Sequence, residues 1–541
     1  MKESIFNKGI SLESDTYYKA TENRYDIYLA DCIKSENEKY FSYTRKKFAE
    51  HYIGFFLKDL KNVTLDFQGA TIVFHGRIVP FILDNCENIK LINFQIDYDR
   101  PFYTQARVFE CNSKQMKIKI DPGFDYRVED GYLYAVGDSW EKKLNRNDCL
   151  LWLFDRTGKK EYPIILSLFG PEIFPNENPP MPIGQIFVEQ EDEYLILNGD
   201  FPQSWECNDG NNSLVFTHEV RDKCTITFVD CKNIYIENFI LLYGAAYALM
   251  GMHSENIYID NFSLYMDYEG NGRLVTNNAD AVHLFNCKGD FVLKNSHMEG
   301  MLDDTVNIHN NYLIVESVQN KTLICKSRTA TADLLCPLFE RGDNIAIYRG
   351  KTQELKNTYK IENVILDKEK NLFRYELNDV LVGIEQGDVI ENLSGHPIVL
   401  IENCTFGRFR GTMRLQSRNK TIVRNCEFRN KGKSIIFTGD TTYWFESGPV
   451  NNFLFEGCKF YYTEMGPRIC FYGDVEFTSV EPFYHKNITV QNCYFDCGII
   501  ASLNHVDGFT FKNNMSNGVM RLSVQNSDNI IFDQNLVVEY K

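Results

Sequence analysis

The stretch from Asn277 to His309 reads NNADAVHLFNCKGDFVLKNSHMEGMLDDTVNIH and contains two copies of one short pattern. The segment DAVHLF, which begins at Asp280, aligns with DTVNIH, which begins at Asp304, so that small apolar residues recur 24 positions apart. A fixed offset of this size is typical of stacked repeats, in which no unit buries its apolar face alone. The pattern predicts that Asp280 and Asp304 lie in one register on adjacent layers, about 4.8 Å apart.

A related unit recurs along the chain, with a polar turn residue, alternating Ile or Val, then Asn, then Cys or Phe. Each copy alternates with period two, as a half-buried strand does, whereas a helical repeat would show a period near 3.6. The repeat therefore predicts an all-β fold, a parallel β-helix built as a solenoid. An Asn recurs at the strand end, where its amide is expected to satisfy turn backbone groups and to stack on its neighbours. These residues are Asn93, Asn238, Asn261, Asn295, Asn403, Asn425, Asn492 and Asn513.

Two gaps interrupt the repeat, and both are too long to be loops. Each contains alternating segments broken by Gly, Asp and Asn, which predicts a small antiparallel β-domain or barrel inserted between coils. The predicted division is a lead-in and cap over 1–60, first coils over 61–101, an inserted domain over 102–222, coils with the aspartates over 223–310, a second inserted domain over 311–395 and C-terminal coils over 396–541. We expect the inserted domains to wall the candidate site.

Composition restricts the partners of the protein. The chain has 541 residues and a formal net charge of −17, which argues against binding to nucleic acid or to an anionic membrane because both require a basic surface. A neutral or cationic ligand fits this charge better. Cysteines recur at one repeat position, as expected for stacked, buried, reduced thiols, at Cys404, Cys426, Cys458 and Cys493. No Cys or His spacing is typical of zinc, so we predict neither a structural metal nor a cofactor.

The N-terminal sequence MKESIFNKGISLES lacks the apolar core of a signal peptide, and no run of about 18 apolar residues marks a membrane span. The chain as given therefore predicts a soluble cytoplasmic protein, or an exported one if a signal was removed before this numbering begins. Oligomeric state has no signature in the sequence.

Three acids, Asp280, Asp303 and Asp304, are predicted to crowd together on adjacent coils. Glycoside hydrolysis needs one acid to protonate the leaving oxygen and ionised carboxylates to activate water or attack the sugar. Crowded carboxylates do not all ionise easily, so one of them is expected to keep its proton and act as the donor. The alternative is structural, with Asp280 capping a turn and the Asp303–Asp304 pair forming a solvated corner.

Further polar and aromatic residues are predicted to lie on the same face as the aspartates. Several alternate out of phase with the inward Val and Ile residues, and an exposed Trp on such a face is costly unless a ligand stacks on it. For each of them an ordinary surface role is the alternative. The candidate substrate-binding residues are His75, Arg77, His283, Asn307, His309, Arg414, Trp444 and Glu446.

The segment FHGRIVPFILDNCENIKLINFQIDYDRPFYTQARV, from Phe74 to Val108, together with NADAVH and LDDTVNIH, resembles glycoside hydrolase family 110, the α-1,3-galactosidases. The resemblance implies a right-handed parallel β-helix and exo-removal of terminal α-1,3-linked galactose from blood-group-B-like or linear Gal-α1,3-Gal glycans. It also implies an inverting, metal-independent mechanism in which Asp280, Asp303 and Asp304 are catalytic. By analogy with β-helix pectin hydrolases, we expect Asp303 to be the acid and the other two to be bases.

Two other functions remain open from the sequence. A β-helix glycosidase of the polygalacturonase kind would act on acidic glycans, but it would call for a basic groove in this acidic chain. A non-catalytic, glycan-binding β-helix protein would have no need of three clustered acids.

Overall fold

The computed structural model describes residues 12–35, 51–144, 149–155, 164–167, 186–218, 223–266, 272–327, 338–350, 352–367, 370, 372–407, 413–429, 433–440, 445–461, 468–474, 483–533 and 536–540. Strands dominate these residues, with two short 3₁₀ helices, Leu29–Asp31 and Gln203–Trp205. None of the helices in this described part is long and apolar enough to cross a membrane.

The strands as far as the first inserted region are β1 (Tyr17–Lys19), β2 (Arg24–Tyr28), β3 (Ile33–Ser35), β4 (His51–Lys58), β5 (Lys61–His75), β6 (Ile78–Asp84) and β7 (Glu87–Tyr98). The inserted region contains β8 (Tyr103–Cys111), β9 (Gln115–Ile120), β10 (Tyr126–Glu129), β11 (Tyr132–Gly137), β12 (Trp140–Lys143), β13 (Leu150–Asp155), β14 (Ile164–Ser167), β15 (Phe187–Glu191), β16 (Tyr194–Asn198) and β17 (Asn212–Thr217).

The following coils contain β18 (Ile226–Val229), β19 (Lys232–Leu241), β20 (Leu249–Met252), β21 (Glu255–Leu264), β22 (Val282–Phe285), β23 (Lys288–Lys294), β24 (His297–Glu299) and β25 (Val306–Gln319). The second inserted region contains β26 (Thr322–Lys326), β27 (Asn344–Tyr348), β28 (Leu355–Asp367), β29 (Leu372–Leu377) and β30 (Val389–Asn392).

The C-terminal coils contain β31 (Ile398–Glu402), β32 (Thr405–Gly407), β33 (Met413–Leu415), β34 (Thr421–Arg424), β35 (Glu427–Arg429), β36 (Lys433–Asp440), β37 (Glu446–Ser447), β38 (Asn451–Glu456), β39 (Lys459–Phe460) and β40 (Arg468–Asp474). The chain ends with β41 (His485–Gln491), β42 (Tyr494–Phe495), β43 (Ile499–Asn504), β44 (Val506–Lys512), β45 (Met515–Ser516), β46 (Met520–Gln525), β47 (Asp528–Phe532) and β48 (Leu536–Tyr540).

Three parallel sheets wrap around one apolar interior. The first sheet stacks β23, β31, β34, β38, β41, β44 and β47, and the second stacks β24, β32, β35, β39, β42 and β45. In the early coils, the long strands β5, β7, β19 and β21 pair with one another along both sheets. The third sheet runs from β4 and β6 through β18, β20, β22, β25 and β33 to β48. The predicted parallel β-helix is confirmed.

An Asn ladder marks the corner between the first and second sheets. Each of the eight predicted Asn residues has a positive φ, between 50° and 58°, a conformation that Asn tolerates better than most residues. The Nδ2 atom of Asn238 donates to Oδ1 of Asn93 at 2.8 Å, and that of Asn261 donates to Asn238 at 2.9 Å. The predicted stacking of these amides is confirmed along this part of the ladder.

Rows of identical side chains fill the interior of the β-helix. The rings of Phe94, Phe239 and Phe262 stack with centroids 4.4 and 5.0 Å apart. The four predicted cysteines, including Cys404 and Cys458, are all buried and free, and burial raises the pKa of both of these thiols. The expectation of buried, reduced thiols is therefore confirmed for this row.

The two inserted regions consist of antiparallel strands. Between Tyr103 and Thr217 the order is β14-β13-β17-β8-β9-β16-β15, with a separate sheet of β10, β11 and β12. In the second region β25, β26, β29, β28, β27 and β30 close into a six-stranded barrel. Strand β25 starts in the third sheet and continues into the barrel, so the predicted boundary between 310 and 311 falls inside one strand.

The parallel sheets begin earlier in the chain than residue 61. Strands β1 and β2 pair in parallel with β5, and β4 pairs in parallel with β6. The described part of the predicted lead-in therefore already contributes to the coils.

Candidate active site

Asp280 and Asp304 occupy the same place on neighbouring coils. Each lies two residues before a strand of the third sheet, and Val282 in β22 pairs with Val306 in β25. The backbone N–H of Ala281 donates to the carbonyl oxygen of Asp304 at 3.0 Å. The predicted register of the two aspartates is therefore confirmed, and the backbone ladder fixes their spacing.

The three aspartates converge. One carboxylate oxygen from each of Asp280, Asp303 and Asp304 lies within 4.8 Å of the others. Asp280 is 2% exposed and Asp304 is 8% exposed, whereas Asp303 is only partly buried. Two of the three acids are therefore buried, and the third is more accessible to solvent.

Two cationic or ionisable side chains contact the buried acids. Nδ1 of His283 lies 2.6 Å from Oδ2 of Asp280. Nε of Arg414 lies 3.2 Å from Oδ2 of Asp304. The guanidinium of Arg414 is a permanent positive charge beside Asp304, whereas His283 gives Asp280 a close hydrogen-bond partner.

His309 and Glu446 connect these two contacts into a ring around the cluster. Nε2 of His309 lies 3.2 Å from Nε2 of His283 and 3.7 Å from Oε1 of Glu446. The other Glu446 oxygen lies 4.0 Å from Nη1 of Arg414. Burial lowers the pKa of His309, and this outweighs the opposing effect of Glu446. His309 is therefore a neutral imidazole near pH 7.

Asn307 in β25 lies between strand β22, which contains His283, and strand β33, which contains Arg414. It pairs with His283 on one side and with Arg414 on the other, so its side chain belongs to the same sheet face. The residue is 4% exposed, and its Oδ1 accepts no hydrogen bond from the described residues. A buried amide oxygen without a donor is costly, which suits a position completed by a ligand hydroxyl.

Several known enzymes are similar in sequence to this chain over most of its length. Alpha-1,3-galactosidase A of Shewanella woodyi is 28% identical over 457 residues, covering 82% of this chain and 71% of the relative. Alpha-1,3-galactosidase B of Bacteroides thetaiotaomicron is 27% identical over 511 residues, covering 91% and 79%. Alpha-1,3-galactosidase A of the same organism is 28% identical over 515 residues, covering 90% and 84%.

The chain is a glycoside hydrolase. The resemblance to the α-1,3-galactosidases, stated from the Phe74–Val108 segment and the aspartate motifs, is confirmed. No family model matches the sequence.

Solved structures of phage tailspikes align with the hydrolase only weakly. The Gp54 tailspike of Acinetobacter baumannii bacteriophage AP22 is 8% identical, with a TM-score of 0.18 over 97% of this chain and 74% of that one. The gp49 tailspike of Pseudomonas phage LKA1 is 9% identical, with a TM-score of 0.13 over 89% and 70%. The fold assignment therefore rests on the strand pairing described above.

The remaining candidate contacts of the hydrolase lie elsewhere. His75 ends β5 in the early coils, where its Nε2 lies 2.7 Å from Asp26 and its ring stacks on Tyr28. The guanidinium of Arg77 lies 5.9 Å from the Phe102 ring centroid. Trp444 lies outside the described residues. The structure thus groups His283, Asn307, His309, Arg414 and Glu446 around the aspartates and places His75 with a different set of partners.

Sequence reasoning missed Tyr247 as part of the site. Tyr247 precedes β20 by two residues, as Asp280 precedes β22, and its ring centroid lies 4.8 Å from that of His283. The phenol is fully buried against the imidazole. Aligning YALM at Tyr247 with DAVH at Asp280 would have found it, although the offset of 33 positions differs from the offset of 24 that follows.

The three carboxylate oxygens are of the type that Mg²⁺ and Ca²⁺ bind. However, Arg414 lies beside Asp304 and His283 lies beside Asp280. Positive charge at these positions would compete with a divalent cation for the same oxygens. The arrangement therefore suits proton transfer better than metal binding, and the absence of a metal stays a prediction.

Proposed function

We propose that this glycoside hydrolase is an exo-acting α-1,3-galactosidase that removes terminal galactose from blood-group-B-like or linear Gal-α1,3-Gal glycans. The observation that carries the proposal is the convergence of three carboxylates within 4.8 Å on adjacent coils. Relatives with similar sequences over most of the chain are named for this activity. A net charge of −17 favours a neutral sugar over an acidic one.

Asp303 is the proposed general acid. It is the least buried of the three, so it is accessible to the glycosidic oxygen of a sugar that enters from solvent. Two neighbouring carboxylates disfavour a third negative charge, which keeps a proton available on the donor. Protonation of the leaving oxygen then allows the glycosidic bond to break.

Asp280 and Asp304 are the proposed bases that orient and deprotonate the attacking water. Both are buried, and each is placed by the backbone ladder of the third sheet. Arg414 favours the ionised form of Asp304 through its 3.2 Å contact. Two fixed acceptors define a water position better than one, and such orientation supplies part of the rate enhancement.

Asn307, Arg414 and Glu446 are the proposed polar contacts to the sugar. They surround the carboxylates, and the buried Oδ1 of Asn307 needs a donor that a galactose hydroxyl would supply. A site that hydrogen-bonds specific hydroxyls discriminates strongly against sugars that lack them. His75, Arg77 and Trp444 are proposed as outer contacts to the rest of the glycan.

The proposed reaction inverts the anomeric centre. The resemblance to the α-1,3-galactosidases implies inversion, whereas carboxyl groups about 5 Å apart are typical of retention and inverting pairs lie about 6.5–9.5 Å apart. The nearest oxygens here lie within 4.8 Å. We favour inversion because the cluster has three carboxylates. Asp303 can donate the proton while Asp280 and Asp304 both accept hydrogen bonds from the attacking water.

A substrate panel tests the proposed activity. The purified chain is incubated with Gal-α1,3-Gal, its fucose-branched counterpart, an α-1,4-linked digalactoside, an α-1,6-linked digalactoside and oligogalacturonides. We expect galactose release from α-1,3-linked substrates only. Release of galacturonic acid alone would replace the proposal by a polygalacturonase activity, and binding to these glycans without turnover would make the protein a glycan-binding module.

A further inference from the structure

Asp280, His283 and His309 form a line of three buried side chains that starts in the aspartate cluster. It runs from Asp280 Oδ2 to His283 Nδ1 at 2.6 Å, and from His283 Nε2 to His309 Nε2 at 3.2 Å. It ends where His309 Nδ1 lies 2.7 Å from the carbonyl oxygen of Asn310. Asp280, His283 and His309 are each 2% exposed. The line therefore has fixed partners and little access to water.

Counting protons along this line gives a definite number. A backbone carbonyl only accepts, so His309 Nδ1 carries a proton. The contact between the two Nε2 atoms needs one proton, and so does the contact between His283 and Asp280. Three contacts therefore require three protons, whereas two neutral imidazoles supply only two. Without the third, either two nitrogen lone pairs or a lone pair and a carboxylate oxygen would face each other.

We propose that the Asp280–His283–His309 line carries three protons, which is one more than two neutral imidazoles and a carboxylate would have. We place this additional proton between Asp280 and His283. The proton count stands on geometry alone. Its catalytic meaning rests on the proposed function, in which Asp280 is a base. His283 and His309 are then positioning residues rather than the substrate-binding residues that the sequence predicted.

The groups around the line place the surplus charge on His283. His309 stays neutral because its burial lowers its pKa, and Glu446 at 3.7 Å offsets only part of this effect. Glu446 also lies 4.0 Å from the guanidinium of Arg414, so its negative charge acts on Arg414 as well as on His309. His283 instead faces the Asp280 carboxylate at 2.6 Å, with the Tyr247 ring 4.8 Å away. An imidazolium is most stable beside the carboxylate.

This arrangement keeps Asp280 ionised and ready to act as a base. In the proposed step, the water oxygen forms a bond to the anomeric carbon, and one water proton moves to the carboxylate of Asp280. The glycosidic C–O bond breaks as Asp303 gives its proton to the leaving oxygen. His283 keeps both of its protons throughout, so the surplus proton stabilises the base without being consumed.

Nitrogen-15 NMR of the histidine rings tests the proton count without any substrate. From the hydrogen-bond geometry, we expect His283 to show two protonated ring nitrogens at about pH 7.5, while His309 shows one. His218 provides a reference for a neutral ring, since burial lowers its pKa well below the usual value. Signals are assigned with His283→Gln and His309→Gln. A His283 ring with only one protonated nitrogen would overturn the proposal.

Kinetics of two His309 variants test what the line does. In His309→Gln the side-chain oxygen can accept from His283 Nε2–H, so we expect kcat within about threefold of the parent. His309→Leu removes this acceptor, and we expect kcat to fall on the order of 10²-fold with KM nearly unchanged.

A rise in KM with unchanged kcat in both variants would make His309 a sugar contact and contradict the positioning role. If the parent protein released no galactose, the proposed function would fail, but the NMR measurement would still decide the proton count. The two failures are therefore distinguishable.

Discussion

Asp303 differs from its two neighbours in exposure, and this difference sets its proposed role. Asp280 and Asp304 are buried beside His283 and Arg414, whereas Asp303 is partly open to solvent. We expect Asp303→Asn to lower kcat by about 10²–10⁴-fold, the range typical of a lost general acid. The melting temperature should stay nearly unchanged because an amide replaces the carboxyl without a change of volume. Hydrolysis rates and thermal unfolding measure both effects.

Asp290→Asn is the matched control for this substitution. Asp290 lies on the neighbouring strand β23 and is exposed. The control should keep full activity. Equal activity in the Asp303 and Asp290 variants would show that Asp303 takes no part in the reaction.

The Asn ladder holds successive coils in register at the corner between two sheets. Asn238 has a φ of 52° and bonds to the amides of Asn93 and Asn261. We expect Asn238→Ala to lower the free energy of unfolding by about 1–2 kcal/mol, because Ala loses these bonds and is strained in the left-handed region. Asn238→Gly should cost about 1 kcal/mol less, since Gly adopts this conformation freely. Chemical denaturation of both variants measures the difference.

Asn363→Ala controls for the loss of an exposed Asn without a left-handed backbone. Asn363 lies in β28 and bonds to Glu376 at 3.2 Å. It should change stability by less than about 0.5 kcal/mol. If Asn238→Gly were as destabilising as Asn238→Ala, the backbone conformation would not be the reason for Asn at this corner.

An ion pair between the partly exposed Arg418 and the buried Glu391 links the barrel to the C-terminal coils. Arg418 donates to both oxygens of Glu391 at 2.9 and 2.6 Å, and Nε2 of His396 lies 3.2 Å from Glu391. Burial alone would raise the pKa of Glu391, but the Arg418 charge and the hydrogen bonds from His396 and Arg418 lower it to about 2. Because this pKa is depressed, the pair stabilises the fold above about pH 4.5 and loses its effect as the pH falls toward 2.

Glu391→Gln is therefore expected to be less stable than the parent by on the order of 3 kcal/mol near neutral pH. The difference should shrink steadily between about pH 4.5 and pH 2. Unfolding free energies at several pH values measure it, with Glu376→Gln in β29, which is partly exposed, as a control of little effect. A difference that did not depend on pH would mean that shape, rather than charge, explains the role of Glu391.

The sequence alone predicted the coils and the centre of the site for a physical reason. Stacked parallel strands repeat their neighbours' contacts, so a period of two and a fixed offset are enough to place Asp280 beside Asp304. The same reasoning placed His283, Asn307, His309 and Arg414 in paired positions of the third sheet.

The rest of the site depends on contacts that do not follow the repeat. Glu446 reaches His309 through β37, which pairs antiparallel with β25. His75 ends a 15-residue strand that spans two sheets, so its register with Asp280 could not be inferred from a short motif. The hydrogen bonds that link Asp280 to His283 and His309 depend on side-chain orientation, which spacing does not specify.

The two inserted regions both contact the coils that carry the three aspartates. Asn278 donates to the carbonyl oxygen of Phe102, at the start of the first inserted region, and Asn310 donates to that of Asn392 in the barrel. Both contacts are made by residues within two positions of Asp280 or His309. The inserted regions are therefore attached directly to the coils that carry the proposed chemistry, as walls of a glycan site would be.

The most direct test of the proposed mechanism is a proton NMR time course of Gal-α1,3-Gal hydrolysis by the intact chain. In the proposed mechanism, a water held by Asp280 and Asp304 attacks the face opposite the leaving group, so β-galactose should appear first and mutarotate to the α-anomer later. Initial release of α-galactose would contradict direct attack by water and would make one of the clustered aspartates a nucleophile.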